Sequence, residues 1–179
     1  MNRLGKKILI VGSGGSGKST LAVQLGETLS LPVIHLDKEY WNVGWVATPK
    51  EEWLDKQKIF LSGDFWIADG NYSGSLELRL TIADTVIFLD FSRFTCLCGI
   101  IKRRLQNIGK TRPDMAEGCP EKIDLPMLRW VWTFPSKSRP KLTEIISKYK
   151  DVELITFKRR REIKNFLKNY ESYKGAESK

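Results

Sequence analysis

A glycine-rich turn close to the N-terminus constrains the fold more than any other feature. Residues 8–11 (ILIV) form a short apolar run typical of a buried strand. Residues 12–19 (GSGGSGKS) follow with the G-x-x-x-x-G-K-S spacing of a phosphate-binding loop. Apolar residues then recur at helical spacing as far as Leu29. Strand, loop and helix in this order favour a nucleotide-binding α/β unit over a glycine-rich hairpin with an incidental lysine.

Each residue type in the loop has a chemical reason. Glycines allow the main-chain amides to point into one concavity, and the start of the helix adds partial positive charge there. Lys18 can reach the β- and γ-phosphates, and the Ser19 hydroxyl can ligate Mg²⁺. We therefore predict ATP or another nucleoside triphosphate, with Mg²⁺, as cofactors. The predicted nucleotide-binding residues are Gly12, Ser13, Gly14, Gly15, Ser16, Gly17, Lys18, Ser19 and Thr20.

Length and cysteine usage narrow the class of protein. The chain has 179 residues, which predicts one domain covering 1–179, and no apolar run approaches the roughly 20 residues of a membrane span. The first predicted strand leaves no room for a signal peptide, so we expect a cytoplasmic protein with no membrane partner. Three cysteines and one histidine, with the spacing Cys96-x-Cys98, argue against a zinc site.

The charge leaves two classes of partner open. The formal net charge is +9 and the isoelectric point is near 9.5. Such a balance suits a nucleic-acid-binding protein, and it equally suits an enzyme whose arginine-rich cleft handles phosphates.

Strand and helix patterns alternate along the rest of the chain. Further strands are predicted at 32–37, 65–69, 85–90 and 151–157, with helices between them. This order predicts an α/β, three-layer P-loop NTPase fold, in which helices flank a five-stranded parallel sheet. The helix predicted over 128–149 is expected to break near Pro135 and Pro140.

Three aspartates end predicted strands, where ligands bind in open α/β sheets. Asp37 is predicted either to bind the acceptor or to act as a general base toward a hydroxyl; the alternative is a helix cap or turn aspartate. Asp69 is the predicted partner of Ser19 at Mg²⁺, with Asp90 a weaker candidate. Asp69 and the following Gly70 are also predicted to contact the acceptor.

Two further segments complete the predicted site. An insert at about 37–64 is predicted to bind the acceptor through Tyr40 and Trp41, unless these aromatic side chains only pack. Residues 108–126 lose periodicity and gain glycine and proline, which predicts a lid. Arg104 and Arg112 are predicted to close over the γ-phosphate, with Arg103 and Arg139 as further candidates; the alternative is a solvated basic face.

These motifs resemble known families. The loop, the Asp69-Gly70 pair and Arg103/Arg104 before the lid resemble the adenylate kinase-like nucleoside monophosphate kinase superfamily. Longer segments are similar to the bacterial family of DNA topology modulation proteins. Those segments are HLDKEYW at 35–41, WIADGNYSGSLELRL at 66–80, ADTVIFLDF at 83–91 and KTRPDMAEGCPEKIDL at 110–125.

The resemblance implies ATP, Mg²⁺ and phosphoryl transfer, and the family name implies an effect on DNA supercoiling. In the adenylate kinase type a Pro-Arg pair follows the Asp-Gly, and its arginine holds the acceptor phosphate; here Asn71-Tyr72 stands there. Arg79, one helix later, is the predicted substitute. Asp37 keeps a hydroxyl acceptor open, as in shikimate- or gluconate-type kinases, which the chain also resembles at the loop.

Three functions therefore remain. The first is an ATP-dependent phosphotransferase that moves the γ-phosphoryl group of Mg-ATP to a nucleotide or another small acceptor. The second is a nucleotide-binding regulatory protein that affects DNA topology, with weak or no kinase activity. The third is a DNA-binding protein that uses ATP as a switch, although no DNA-binding motif supports it. We expect a monomer or a homodimer.

Overall fold

A computed structural model describes residues 4–177, with side chains described as far as Tyr170. Along the chain, the elements are β1 (Lys7–Gly12), α1 (Lys18–Leu29), β2 (Val33–His35), α2 (Leu36–Tyr40), β3 (Trp41–Asn42), β4 (Val46–Ala47), α3 (Lys50–Phe60), β5 (Trp66–Asp69), α4 (Leu76–Leu80), β6 (Thr85–Leu89), α5 (Arg93–Gln106), α6 (Leu125–Ser147), β7 (Glu153–Phe157) and α7 (Arg160–Glu177), with a 3₁₀ turn at Ser73–Ser75 before α4.

The central sheet has five parallel strands in the order β2-β5-β1-β6-β7. Successive residues of β1 supply opposite faces of this sheet, because side chains alternate along a strand. Ile8 and Ile10 pack into one buried cluster, whereas Leu9 and Val11 pack into the other. Both faces are therefore covered, which confirms the predicted three-layer α/β fold.

The strand order places a crevice at the C-terminal end of β1. The chain moves from β1 toward β5 and β2 on one side, and toward β6 and β7 on the other. Ligands in open α/β sheets bind at such a reversal, outside the carboxyl ends of the strands. The glycine-rich loop leaves β1 at this point and leads directly into α1.

The prediction that α6 breaks is wrong. The helix continues through Pro135 and Pro140. Val131, Phe134 and Ile146 are all buried on its core-facing side. Burial of this face on both sides of the prolines outweighs the hydrogen bonds that each proline removes.

The strand predicted over 32–37 is shorter than expected. It ends at His35, and Asp37 lies in the first turn of α2. The rest of the predicted insert folds as the antiparallel hairpin β3–β4 followed by α3. Among the described residues, no helix is long and apolar enough to span a membrane.

Candidate active site

The glycine-rich loop presents an open helix N-terminus. Gly17 is the N-cap of α1 and has a φ of +97°, in the left-handed region that favours glycine. No side chain caps this end of α1, and a Cβ on Gly17 would meet nothing within 4 Å. The first amides of α1 therefore have no side-chain partner, which leaves them available to a phosphate group. The residues present fit a triphosphate.

The phosphate-binding loop packs closely against α5 and α6. A Cβ on Gly15 would lie 2.2 Å from the carbonyl oxygen of Cys96, and one on Gly99 would lie 2.1 Å from the carbonyl oxygen of Gly15. A Cβ on Gly14 would lie 3.0 Å from the indole of Trp130 in α6. The glycines in the loop and in α5 thus permit a close approach of main chains, which fixes the shape of the loop.

Lys18 is half-buried at the start of α1 and lines the cleft. Its Nζ donates a hydrogen bond to the carbonyl oxygen of Ser13, at 2.9 Å. Burial lowers the pKa of Lys18 below its ordinary value of 10.5, while Asp37 and Asp69 act in the opposite direction. Neither carboxylate lies within ion-pair distance of Nζ, and the ammonium group makes no ion pair within the described part of the chain. Lys18 is thus placed to meet an incoming phosphate.

Asp69 is a buried carboxylate shared by two side chains. The Ser19 hydroxyl donates to Asp69 Oδ2 at 2.8 Å, and His35 Nδ1 makes a short hydrogen bond to Oδ1. Burial alone would lower the pKa of His35, but the hydrogen bond and the charge of Asp69 outweigh burial and raise it. A hydroxyl beside a carboxylate, next to a phosphate site, is a donor set that suits Mg²⁺.

The described residues contain no cluster of three or more histidine, cysteine, aspartate or glutamate side chains that would hold a metal without further ligands. Ser19 and Asp69 would therefore need phosphate and water oxygens to complete the six positions that Mg²⁺ prefers. Asp90, the weaker candidate from the sequence, pairs instead with Arg139 at 2.7 Å.

Asp37 faces the same cleft as Lys18 and Ser19. The Tyr72 hydroxyl donates to Asp37 Oδ1 at 2.6 Å, which holds the carboxylate in place. Burial first, and then the charge of Asp37, raise the pKa of Tyr72 above its usual range, so this phenol stays protonated. Sequence reasoning did not assign Tyr72 a role, although it directly follows Asp69-Gly70-Asn71.

The aromatic residues of the insert divide into two groups. Trp41 and Trp45 line the cleft, and the Lys122 ammonium lies over the Trp45 ring at 4.5 Å. Tyr40 lies behind them, with its ring 5.1 Å from Trp53 and 4.6 Å from Tyr72. Tyr40 therefore supports the wall of the cleft and does not line it.

The buried carboxylate of Glu121 pairs with Arg103 and Arg112, which both line the cleft. Glu121 Oε1 accepts a hydrogen bond from Arg103 Nε at 2.8 Å, and Glu121 Oε2 pairs with Arg112 Nε at 2.6 Å. Arg112 also pairs with Asp114, at 2.6 Å. Burial and the charge of Arg112 lower the pKa of Arg103, and Glu121 opposes this. Arg104 turns away and donates to the main-chain oxygen of Glu121.

Arg79 is also absent from the cleft. Its side chain is fully buried, and its guanidinium group donates to Gln57, Ser75 and the main chain at 71–72. The structure thus gives no support to direct contact between Arg79 and the acceptor.

The cleft has a volume of about 1040 Å³ and joins the loop, the insert and the lid. The predicted site residues that line it are Gly14, Gly15, Gly17, Lys18, Ser19, Thr20, Asp37, Trp41, Gly70 and Arg112. Those that do not line it are Gly12, Ser13, Ser16, Tyr40, Asp69, Arg79 and Arg104. Sequence reasoning gave no role to Asn71, Tyr72, Trp130 and Arg160, which also line it, as does Trp45, an aromatic residue of the predicted insert.

Solved structures of several kinases share this architecture. Shikimate kinase from Acinetobacter baumannii, in complex with shikimate, matches with a TM-score of 0.55 and 16% identity over 95% of each chain. A gluconokinase from Sinorhizobium meliloti matches with a TM-score of 0.52 and 14% identity, over 96% of this chain and 92% of that chain. Shikimate kinase from Aquifex aeolicus matches with a TM-score of 0.50 and 14% identity, over 96% and 97%.

The chain has the fold of the P-loop kinases. At such low identity the likeness establishes the fold alone, because one fold hosts many activities. No protein-family model and no curated protein matches the chain, so the resemblance to the DNA topology modulation proteins stays a prediction.

Proposed function

We propose that this protein is an ATP-dependent phosphotransferase that moves the γ-phosphoryl group of Mg-ATP to a hydroxyl group of a small acceptor. One observation carries the proposal. The side chains of Lys18, Ser19 and Asp37 meet at one cleft, with Asp69 behind Ser19 to complete a pair suited to Mg²⁺. Phosphoryl transfer depends mainly on such positioning and on neutralising charge.

The donor half of the cleft would bind the triphosphate. The open amides at the start of α1 and Lys18 would hold its oxygens, and Ser19 with Asp69 would hold Mg²⁺. When bound, Mg²⁺ supplies charge neutralisation at the β- and γ-phosphates. Arg112 and Arg103 would face the γ-phosphate from the lid side, since Glu121 fixes both arginines at the edge of the cleft.

The acceptor half favours a hydroxyl over a phosphate. Asp37 is held by Tyr72 and can accept the proton or the hydrogen bond of a hydroxyl group, whereas a carboxylate would repel an acceptor phosphate. Arg79, the predicted holder of an acceptor phosphate, lies outside the cleft. Trp41 offers an apolar face beside Asp37. Shikimate and gluconate, the compounds named for two structural neighbours, are hydroxylated carboxylic acids, which is consistent with this proposal.

The test is an ADP-release assay with Mg-ATP against a panel of acceptors. The panel contains shikimate, gluconate and other polyols, nucleosides, and all the nucleoside and deoxynucleoside monophosphates. We expect one hydroxyl-bearing acceptor to stimulate ADP release strongly, and Lys18→Ala to abolish the stimulation with the fold intact. Asp37→Asn should lower the rate at least 100-fold if Asp37 acts as the base. Full stimulation in Lys18→Ala would contradict the assignment of the loop.

Other outcomes have defined meanings. Stimulation by a nucleoside monophosphate alone would replace the hydroxyl acceptor with a phosphate acceptor. No stimulation by any acceptor, with Mg-ADP still bound, would favour a nucleotide-binding regulator. Duplex DNA would then be the next ligand, and direct binding would show a steep, linear fall of log affinity with log salt.

A further inference from the structure

Arg79 is a charged side chain with no exposed surface. No carboxylate of the described residues pairs with it, and its Nε has no partner there. Burial lowers the pKa of Arg79 to about 9, so at neutral pH the guanidinium group is still charged. A buried charge without a counter-ion destabilises a fold, so the hydrogen bonds that Arg79 makes must offset that cost.

Those hydrogen bonds fix one short loop. Arg79 Nη2 donates to the main-chain oxygens of Asn71 and, at 3.2 Å, Tyr72. Nη1 donates to Gln57 Oε1 at 2.7 Å and to Ser75 Oγ at 2.9 Å, and both of these side chains are buried. The planar guanidinium group thus spans the interior of the insert and the loop that follows β5.

The loop needs this support because Tyr72 is strained. Its φ of +36° lies in the left-handed region, which is an outlier for a bulky side chain. Strain of this kind persists where surrounding contacts determine the conformation, and it clusters at functional sites. Here Ser75 N and Arg79 both donate to the carbonyl oxygen of Tyr72.

The side chains of Asn71 and Tyr72, in the loop after β5, contact the two halves of the cleft. Asn71 accepts from Gly12 N at 3.0 Å and donates to Gly12 O at 2.7 Å, so its amide brackets the residue where β1 enters the phosphate-binding loop. The Tyr72 hydroxyl holds Asp37. Two successive side chains thus join the donor half and the acceptor half of the cleft.

We propose that Arg79 is a positioning residue that sets the donor half through Asn71 and the acceptor half through Tyr72. Nothing else in the described part of the chain donates to the carbonyl oxygen of Asn71. The acceptor half of this inference rests on the proposed function, whereas the donor half requires only that the loop binds nucleotide. Arg79 itself touches neither substrate.

Two single variants each remove one of the two connections, through Asn71 to the donor half or through Tyr72 to the acceptor half. Asn71→Ala removes the bracket on Gly12, and we expect Mg-ADP affinity, measured by titration calorimetry, to fall roughly tenfold. Acceptor KM at saturating ATP should change little. Tyr72→Phe removes the hydroxyl that holds Asp37, so transfer at subsaturating acceptor should fall by a similar factor while Mg-ADP affinity is unchanged. Arg79→Lys, which keeps the charge but loses the planar fork, should weaken both.

A double-mutant cycle separates positioning from general destabilisation. In the Asn71→Ala background, Arg79→Lys should weaken Mg-ADP binding by less than a factor of two, because the connection that it acts through is gone. If the cycle is additive, or if folded Arg79→Lys binds Mg-ADP as tightly as the wild type, the proposal is overturned. These nucleotide measurements stand even if no acceptor stimulates ADP release, so the two proposals can fail separately.

Two further variants guard against a loss of folding. Gln57→Leu removes one acceptor of Arg79 and leaves Asn71 and Tyr72 untouched; it should show the same pattern as Arg79→Lys, with smaller effects. Thr85→Val is the matched control. It removes the hydrogen bond that Thr85 Oγ1 accepts from Gly5 N, at the end of the sheet opposite the cleft. Thr85→Val should therefore lower the melting temperature without changing Mg-ADP affinity. Equal loss of Mg-ADP affinity in both variants would overturn the proposal.

Discussion

Asp69 illustrates how single side chains prepare this cleft. The carboxylate is 5% exposed, and both of its oxygens have partners from different elements, His35 at the end of β2 and Ser19 in α1. A buried carboxylate with fixed partners does not need to reorganise when charge arrives. The arrangement also explains why a histidine stands at the end of β2, where packing alone would favour an apolar residue.

The three thiols give a test at the scale of single residues. Cys96 and Cys119 are fully buried, whereas Cys98 is exposed. Burial raises the pKa of Cys96, so less of it is thiolate at any given pH. At pH 8 we expect a thiol reagent such as iodoacetamide to modify one cysteine quickly and the other two only after unfolding.

Mass spectrometry of the time course would identify the modified thiol. Cys98→Ser should remove the fast phase. Rapid modification of Cys96 in the native protein would contradict the described packing of α5 on the loop.

At the scale of elements, the approach of α5 to the phosphate-binding loop depends on Gly99. Alanine is a better helix former than glycine by about 1 kcal/mol, so propensity alone predicts that Gly99→Ala stabilises α5. The contact predicts the opposite, because the new Cβ would lie 2.1 Å from the carbonyl oxygen of Gly15. We expect a net loss of about 1–3 kcal/mol in the free energy of unfolding and at least tenfold weaker Mg-ADP binding.

Chemical denaturation and calorimetry would measure the two effects. Gly63→Ala is the control, since its Cβ would come no closer than 4.0 Å to any atom outside its neighbours. A stabilised Gly99→Ala protein with normal affinity would show that the loop can move away from α5.

The sequence predicts elements better than it predicts side-chain directions. The loop is recognisable because its spacing is itself the binding geometry, and the parallel sheet follows from the alternation of strands and helices. Arg103 and Arg104 show the limit. They are adjacent on α5, so they point about 100° apart, and only Arg103 reaches the cleft. The sequence does not show which of the two would pair with the Glu121 carboxylate and which with its main-chain oxygen.

Arg79 shows a second limit. An arginine near a phosphate site is expected to bind phosphate. Arg79 instead binds main-chain oxygens, which cannot be recognised as partners from the sequence. Arg79 donates to the carbonyls at 71–72 beside a left-handed Tyr72, a conformation that no propensity of tyrosine predicts. The position of Asp37, predicted at the end of a strand and found in the first turn of α2, has a simpler explanation. Helix and strand ends are uncertain by one or two residues.

At the scale of the whole molecule, the segment predicted to be a lid contacts the β3–β4 hairpin. Gly44 N donates to Gly118 O at 3.1 Å, and Cys119 Sγ lies 3.2 Å from the carbonyl oxygen of Asn42. A Cβ on Gly118 would lie 2.8 Å from Val43, and the φ of Gly118 is +70°. The lid therefore covers one side of the cleft through contacts with the insert.

Gly118→Val should detach the lid from the hairpin, because the side chain would both clash with Val43 and strain the main chain. We expect proteolysis within 108–124 to become several times faster and Cys119 to react with thiol reagents in the folded protein. The melting temperature should change little, since the central sheet is not involved. A protease pattern identical to that of the wild type would contradict this contact. Val43→Ala is the matched control, because it leaves the main-chain contact intact.

The contact between Gly44 and Gly118 joins two main-chain groups, and this has an evolutionary consequence. A main-chain hydrogen bond does not depend on which side chains surround it, provided that both positions tolerate a positive φ. Residues 43–47 and 110–117 can therefore vary widely among relatives of this protein while the lid docks in the same way. These segments carry Trp45 and Arg112, which line the cleft, so the lining of the cleft can change while the two segments dock in the same way.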